Sequence, residues 1–451
     1  MLTQLGVIIF ILFLTIFIGA PVSFSLCFTA IIATLIYLEP SQLLQIGSIA
    51  FSKATDMNQL IAPLFILMAE FLARGDVAAD IFTILNKYLQ RIKGGLAVSA
   101  TLASTIFAAL CGSSVATAAA IGRVSIAQMI RRGYQPAFAA GTVAAGGTLG
   151  IMIPPSIPFV IFGIITETSI AKLLIAGILP GLMLSGIMIV SILIRTRLNP
   201  SLVNYQAAGE AAEPSGEKGA VLATAVDPLE TAPKTSFSKD LVILLPAGLL
   251  ILLVLGSLYT GLATPMESAG FGAVGALVLV LCLRRLKRNV FAETLKAATK
   301  TSTMILFVVI CAMTLTYVVS YLGIAQALSD AIVGIGVNKW VVIILLYALW
   351  FIMGCLLDPG SMISLTIPFI FPTLVNLGFD PIWIGVVSTL CIEIGMITPP
   401  VGFNLFVIRS ITDVPIKEII LGVLPYVVIL VIALAILTIF PQIALFLPSK
   451  M

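Results

Sequence analysis

The sequence predicts an all-α polytopic membrane protein made of two inverted-topology repeats, each with about five transmembrane helices, a re-entrant helical hairpin and a broken helix. Three observations carry this. The first is composition. Of 451 residues, 60% are hydrophobic and 10% charged, and the mean hydropathy is +1.18. A soluble domain is about a quarter charged. The second is a pair of apolar segments interrupted by Gly and Pro, LGIMIPPSI (149–157) and IGMITPPVG (394–402), spaced by 399 − 154 = 245 residues. Proline removes a backbone donor and clashes with the carbonyl four residues back, so each segment must break its helix. In hydrocarbon such a break survives only inside protein or beside water. Paired breaks in two halves of a chain point to a transporter binding site. The third is a polar interval, Asn199–Asp240, with Pro200, Pro214, Pro228, Pro233 and six acidic residues. It lacks the apolar residues to bury a core and reads as a linker between halves.

The elements follow in order. Leu5–Ile18 and Val22–Leu38 are apolar runs split by Gly19-Ala20-Pro21, a tight hairpin, and Leu60–Leu72 is the core of a third span. In Asp76–Lys93 apolar residues recur at helical spacing among charges, as in a helix lying along the membrane interface. Gly94–Arg132 is interrupted at Cys111-Gly112-Ser113-Ser114. At about 1.5 Å per residue each side is short for a ~30 Å hydrocarbon core, which predicts a re-entrant hairpin. The broken helix Gln135–Thr166 and a span at Ala171–Ile194 complete the half.

Beyond the linker the pattern returns. Leu241–Gly261 and Gly270–Leu283 flank Thr264-Pro265, 265 − 21 = 244 residues after Pro21. Ser302–Leu322 ends at Gly323, 323 − 75 = 248 after Gly75. Ile324–Val337 is a second amphipathic arm, and Trp340–Pro372 carries Leu357-Asp358-Pro359-Gly360 where the first half has Gly112-Ser113-Ser114. Pro381–Ile411 is the second broken helix and Ile419–Leu447 the last span. The division is therefore residues 1–198 (scaffold 1–93, hairpin and broken helix 94–170, scaffold helix 171–198), a cytoplasmic linker 199–240, and residues 241–451 (scaffold 241–323, arm 324–338, hairpin and broken helix 339–412, last helix 413–451). An odd number of spans per half makes tandem copies insert upside down. With the N-terminus outside, nineteen of the 24 Lys and Arg fall on the inner side, including Arg284–Arg288, and the positive-inside rule selects that orientation.

Composition also excludes functions. The chain has no His, which removes the usual metal ligand and neutral-pH proton relay. Neither H-E-x-x-H nor G-x-S-x-G occurs, so an embedded enzyme is disfavoured. A net charge of +4 suggests no nucleic-acid partner. The six Cys, without C-x-x-C, read as small buried apolar residues. Met1–Ile18 has no basic n-region, so no cleavable leader is expected.

The candidate site is the two hairpin tips and the two helix breaks, where unwound carbonyls and helix ends can receive ions. Ser113, Ser114, Thr148 and Ser156 belong to the first half, and Asp358, Ser361, Thr398 and Asn404 to the second. Isolated Ser and Thr can equally serve helix packing in lipid. Ionisable residues in spans are functional candidates by default because they cost about 2.5–3.5 kcal/mol at a helix centre. Glu70 and Arg409 lie near span ends, where snorkelling suffices, and Glu267 reads as an interfacial cap. Asp358 at a tip is the best single site candidate. Arg123 is expected to pair either a substrate carboxylate or an internal acid, Glu167 or Glu393.

CGSSVATAAAIG (111–122), AAGGTLGIMIPPSIPFVIFG (144–163), TETSIAKLLIAGILPG (166–181) and IGMITPPVGFNLFVI (394–408), with PLFILMAEFLARGDVA (63–78) and GLATPMESA (261–269), resemble the large membrane subunit of TRAP (tripartite ATP-independent periplasmic) transporters. The resemblance spans the chain except the linker. It implies an elevator-type fold in a bacterial inner membrane with a periplasmic N-terminus. It implies Na⁺-coupled uptake of a small organic carboxylate delivered by a periplasmic substrate-binding protein, and a separate small four-helix membrane subunit. By the family pattern, carbonyls around Ala108, Cys111, Gly150, Ile153 and Pro155 hold one Na⁺, and Gly354, Gly395, Thr398 and Pro400 a second. Arg123 is not part of that pattern. A self-sufficient ion-coupled carboxylate or ion transporter of the same repeat type is the rival.

Overall fold

The computed structural model describes residues 2–204, 237–334 and 338–451, and among these the chain is helical without strands. In the first half α1 (Leu2–Phe17) and α2 (Val22–Tyr37) form the hairpin around Pro21. A helix not foreseen from hydropathy, α3 (Gln42–Ala54), precedes α4 (Ile61–Arg74). The arm α5 (Val77–Leu89) buries Val77, Ala78, Ile81, Phe82 and Ile84, the spaced apolar set. The hairpin is α6 (Gly95–Cys111) and α7 (Ser114–Arg131); the broken helix is α8 (Pro136–Met152) and α9 (Ile157–Thr166). The closing span is split at Gly177 into α10 (Ile170–Ala176) and α11 (Ile178–Leu198).

The second half repeats this order. It comprises α12 (Phe237–Tyr259), α13 (Pro265–Cys282), α14 (Arg288–Tyr321), the arm α15 (Ile324–Gly334), the hairpin α16 (Lys339–Gly354) and α17 (Pro359–Asn376), the broken helix α18 (Pro381–Met396) and α19 (Phe403–Ile411), and α20 (Ile416–Ile439). A one-turn α21 (Gln442–Leu445) follows. The single long α14 stands where α3 and α4 stand in the first half.

Several boundaries differ from expectation. Helix α14 begins fourteen residues before Ser302, because Glu293, Lys296 and Lys300 keep one face polar while Thr294 and Ala298 bury the other. Helix α17 runs through Pro368 and Pro372 to Asn376, its neighbours covering the freed backbone groups. At the linker's edges, Pro200–Leu202 is a 3₁₀ turn whose Leu202 carbonyl accepts from Gln135 N at 3.0 Å, and Phe237–Asp240 opens α12. The rest of the linker, 205–236, and residues 335–337 of the expected arm lie outside the described residues. Four Cys are buried as expected; Cys27 is half-buried and Cys282 is exposed at the end of α13.

Charged residues at the helix ends lock the scaffold. Arg285 forks onto Asp80 of α5 at 2.6 and 2.9 Å and also donates to the Gly75 carbonyl at 2.8 Å. Arg74 bridges Glu70, one turn away at 3.2 Å, and Glu293 of α14 at 2.8 Å. Glu70 is thus a helix-end partner. Glu267 closes a capping box with Thr264 at the start of α13, the cap its position suggested.

Candidate functional site

Each hairpin tip is a pair of helix ends set by its local sequence. In the first, Gly112 takes φ +68, which an L side chain resists, and ends α6; Ser113 then caps α7 by accepting from Ala116 N. In the second, Asp358 caps α17 by accepting from Ser361 N at 3.0 Å, with Pro359 at the first helical position. The helix breaks are extended at Ile153 and Ser156 in the first half and left-handed at Gly402 in the second. Both Pro-Pro bonds, 154–155 and 399–400, are cis.

The tips meet. A cavity of about 130 Å³ is lined by Ser113, Ser114 and Val115 of the first tip and by Asp358, Pro359 and Gly360 of the second. Ile151, Ile157, Pro158 and Ile161 of the first broken helix and Met396 of the second close its sides, and Thr301, Met304 and Ile305 of α14 face it. Three helix N-termini, those of α7, α9 and α17, therefore open at one small space, whose polar groups are two serines, a threonine and one carboxylate. Of the residues singled out from sequence as substrate contacts, Ser113, Ser114 and Asp358 line it. Asn404 stands behind, fully buried, donating to Ser114 Oγ at 2.7 Å and to the Ala144 carbonyl at 3.3 Å across the two halves. Ser156 caps α9 just behind Ile157. Thr148 is buried within α8 and donates to the Ala145 carbonyl at 2.7 Å.

Arg123 is not brought to the tips. It lies nine residues past Ser114 (123 − 114), about 14 Å along α7, and is exposed with no ion pair among the described residues. Neither expected acid meets it: Glu167, at the end of α9, pairs with Lys53 at 3.3 Å. Glu393 is fully buried in α18, and neither of its oxygens has a hydrogen-bond partner among the described residues. It occupies the position matching Thr148, 393 − 148 = 245. Arg409 donates to the Thr412 carbonyl at 3.2 Å, a helix-end role.

In each half, tip and break come into backbone contact near the residues expected around sodium. A Cβ on Gly112 would strike the Pro155 carbonyl, and one on Gly150 would meet the Ser113 carbonyl at 2.5 Å and Thr117 Oγ1 at 2.7 Å. Tip and break are thus pressed together by bare backbone, beside Ala108 and Cys111 at the end of α6 and Ile153 and Pro155 at the break. Thr117 Oγ1 is buried beside Cys111. In the second half a Cβ on Gly395 would collide with the Gly354 backbone, and Gly402 N donates to the Cys355 carbonyl at 3.2 Å. Thr398 Oγ1, beside Pro400, donates to the Ile394 carbonyl at 2.6 Å. Clustered carbonyl and hydroxyl oxygens suit a hard monovalent cation, which replaces its water shell with such donors.

The α14 contribution to the cavity was not legible in sequence. Thr301 and Met304 carry no break, charge or motif, and only the packing of α14 against α9 and α17 brings them to the tips.

Comparison with known proteins agrees with this architecture. The profile of the DctM component of tripartite ATP-independent periplasmic transporters matches residues 9–443. The C4-dicarboxylate TRAP transporter large permease protein DctM of Pseudomonas aeruginosa is 34% identical over 420 residues, covering 92% of each chain. The sialic acid TRAP transporter large permease protein SiaM of Vibrio cholerae is 29% identical, covering 96% of each. The YdaH transporter of Alcanivorax borkumensis shares the fold at 15% identity, with a TM-score of 0.64 over 91% of this chain and 89% of that one. This multi-pass membrane protein belongs to the DctM family of TRAP transporters, as a large permease component and not an enzyme.

Proposed function

We propose that this subunit carries a small organic carboxylate inward, coupled to sodium, by an elevator movement of the hairpins and broken helices against the scaffold. The observation that carries this reading is the tip cavity, where three helix N-termini converge beside one carboxylate and backbone oxygens lie behind both tips. Helix N-termini and the Ser113 and Ser114 hydroxyls offer hydrogen bonds to a carboxylate. The substrates printed for the Pseudomonas and Vibrio relatives, a C4-dicarboxylate and sialic acid, are carboxylates and support that class.

One ion would be held by carbonyls around Ala108, Cys111, Gly150, Ile153 and Pro155, and a second near Gly354, Gly395, Thr398 and Pro400. Bound Na⁺ supplies positive charge behind each tip, favouring an anionic substrate and tightening the tip against its break. Asp358 holds the α17 N-terminus in place through Ser361 N and bounds the cavity with negative charge. Asn404 ties the first tip to the second broken helix, so that the tips travel together. Helix α14 then supplies the stationary wall at Thr301, Met304 and Ile305.

The basic residues favour a periplasmic N-terminus in an inner membrane. The tripartite family supports two partners: a small four-helix membrane subunit and a periplasmic binding protein.

The test offers labelled succinate and sialic acid, each with a matching binding protein, to proteoliposomes holding this chain and its small subunit. Uptake of one of them driven by an inward Na⁺ gradient is expected. Uptake driven by a proton gradient and indifferent to Na⁺ would contradict the ion sites.

A further inference from the structure

We infer that the structure is open toward the basic side of the molecule, and that Arg123 is the anion-attracting charge of the water-filled path leading there from the tip cavity. The path begins at Val115, which lines that cavity and is 37% exposed. Below it on α7, Ala116, Ala119, Ala120, Arg123 and Ala127 recur at helical spacing and are all exposed or partly exposed.

This face does not suit lipid. Lipid-facing helices here present large aliphatic side chains, as α20 does with Leu421, Leu424, Val428, Val431 and Ile432, each 47–58% exposed. The α7 face presents mostly small residues, with Val115 and Ile130 each 37% exposed at its two ends, around a guanidinium that has no ion pair and no hydrogen bond among the described residues. An unpaired arginine in a membrane segment is stable where it meets water.

The hairpins also pack unequally. Helix α17 lies along α14, whereas α7 packs on α5, α6, α8 and α19, and its stripe from Val115 to Arg123 keeps partial exposure. The cavity itself sits nearer the basic end of α14. Thr301 is 301 − 288 = 13 residues from Arg288, about 20 Å, but 321 − 301 = 20 residues from Tyr321, about 30 Å. The side this path opens on is the cytoplasm, given the orientation proposed above. A carboxylate leaving the tips would then meet Arg123 about two and a half turns down α7, as a weak second anion site on the way out.

The test does not depend on transport, so it is separable from the coupling proposed above. A119C is made in a C282S background, which removes the exposed native thiol, and is labelled from either side of oriented vesicles. The probes are sulfonatoethyl methanethiosulfonate, an anion, and trimethylammonioethyl methanethiosulfonate, a cation. Labelling from the cytoplasmic side alone is expected, with the anion favoured. Adding R123Q should lower the anion-to-cation rate ratio about tenfold, while R123K preserves it. Labelling from neither side, or from the periplasmic side, would overturn the open path. A ratio unchanged by R123Q would overturn the role of Arg123.

Discussion

Asp358 does two jobs with one side chain. Its carboxylate caps α17 through Ser361 N and, among the described residues, is the only charged group on the tip cavity wall. The two can be separated, because Asn caps a helix about as well as Asp. Asp358→Asn should therefore insert and fold normally yet lose uptake by tenfold or more; wild-type uptake would remove the charge from the mechanism. Asp358, Ser113 and Ser114 were legible because a polar cluster interrupting an apolar run has few structural uses. Arg123 was legible as an anomaly but not as to place, since a sequence gives distance along a helix and not the direction it faces. Thr148 shows the converse. It sits beside a break, yet its hydroxyl is spent on the Ala145 carbonyl within its own helix.

At the scale of elements, the fold is held by backbone contacts that glycine permits. Gly150 presses α8 onto the first tip, and Gly150→Ala would drive a methyl against the Ser113 carbonyl and Thr117. In the purified protein, Na⁺ should raise the melting temperature relative to K⁺, because a ligand bound only by the folded state stabilises it. That increment should vanish in Gly150→Ala, and an equal Na⁺ shift in both proteins would remove this cradle from ion binding. The scaffold depends instead on a charged fork. Arg285 makes three hydrogen bonds to Asp80 and Gly75, and Lys is unable to reproduce their geometry. Arg285→Lys should cost about 1–3 kcal/mol of stability in thermal unfolding while leaving the tips intact. The helix breaks and hairpins were readable at this scale because proline and glycine act locally. Helix α3 and the first turns of α14 were not, because a half-polar helix hides from hydropathy and is fixed by what it packs against.

Across the whole molecule, the duplication explains why so much was visible. Each half repeats one order of elements, so every break or tip in one half supports its mate in the other. Where the halves diverge, the repeat offers no guide: α3 and α4 against one long α14, Thr148 against the buried Glu393, which has no hydrogen-bond partner among the described residues, and α17 lying along α14 against α7 packed on α5, α6, α8 and α19. The central claim is that this chain works as the sodium-coupled permease of a three-part system. The most direct measurement is initial uptake in proteoliposomes that hold the complete system, compared with the same vesicles lacking the Na⁺ gradient and lacking the binding protein. Uptake in the complete system alone is predicted. Undiminished uptake without the binding protein would show a self-sufficient carrier and contradict it.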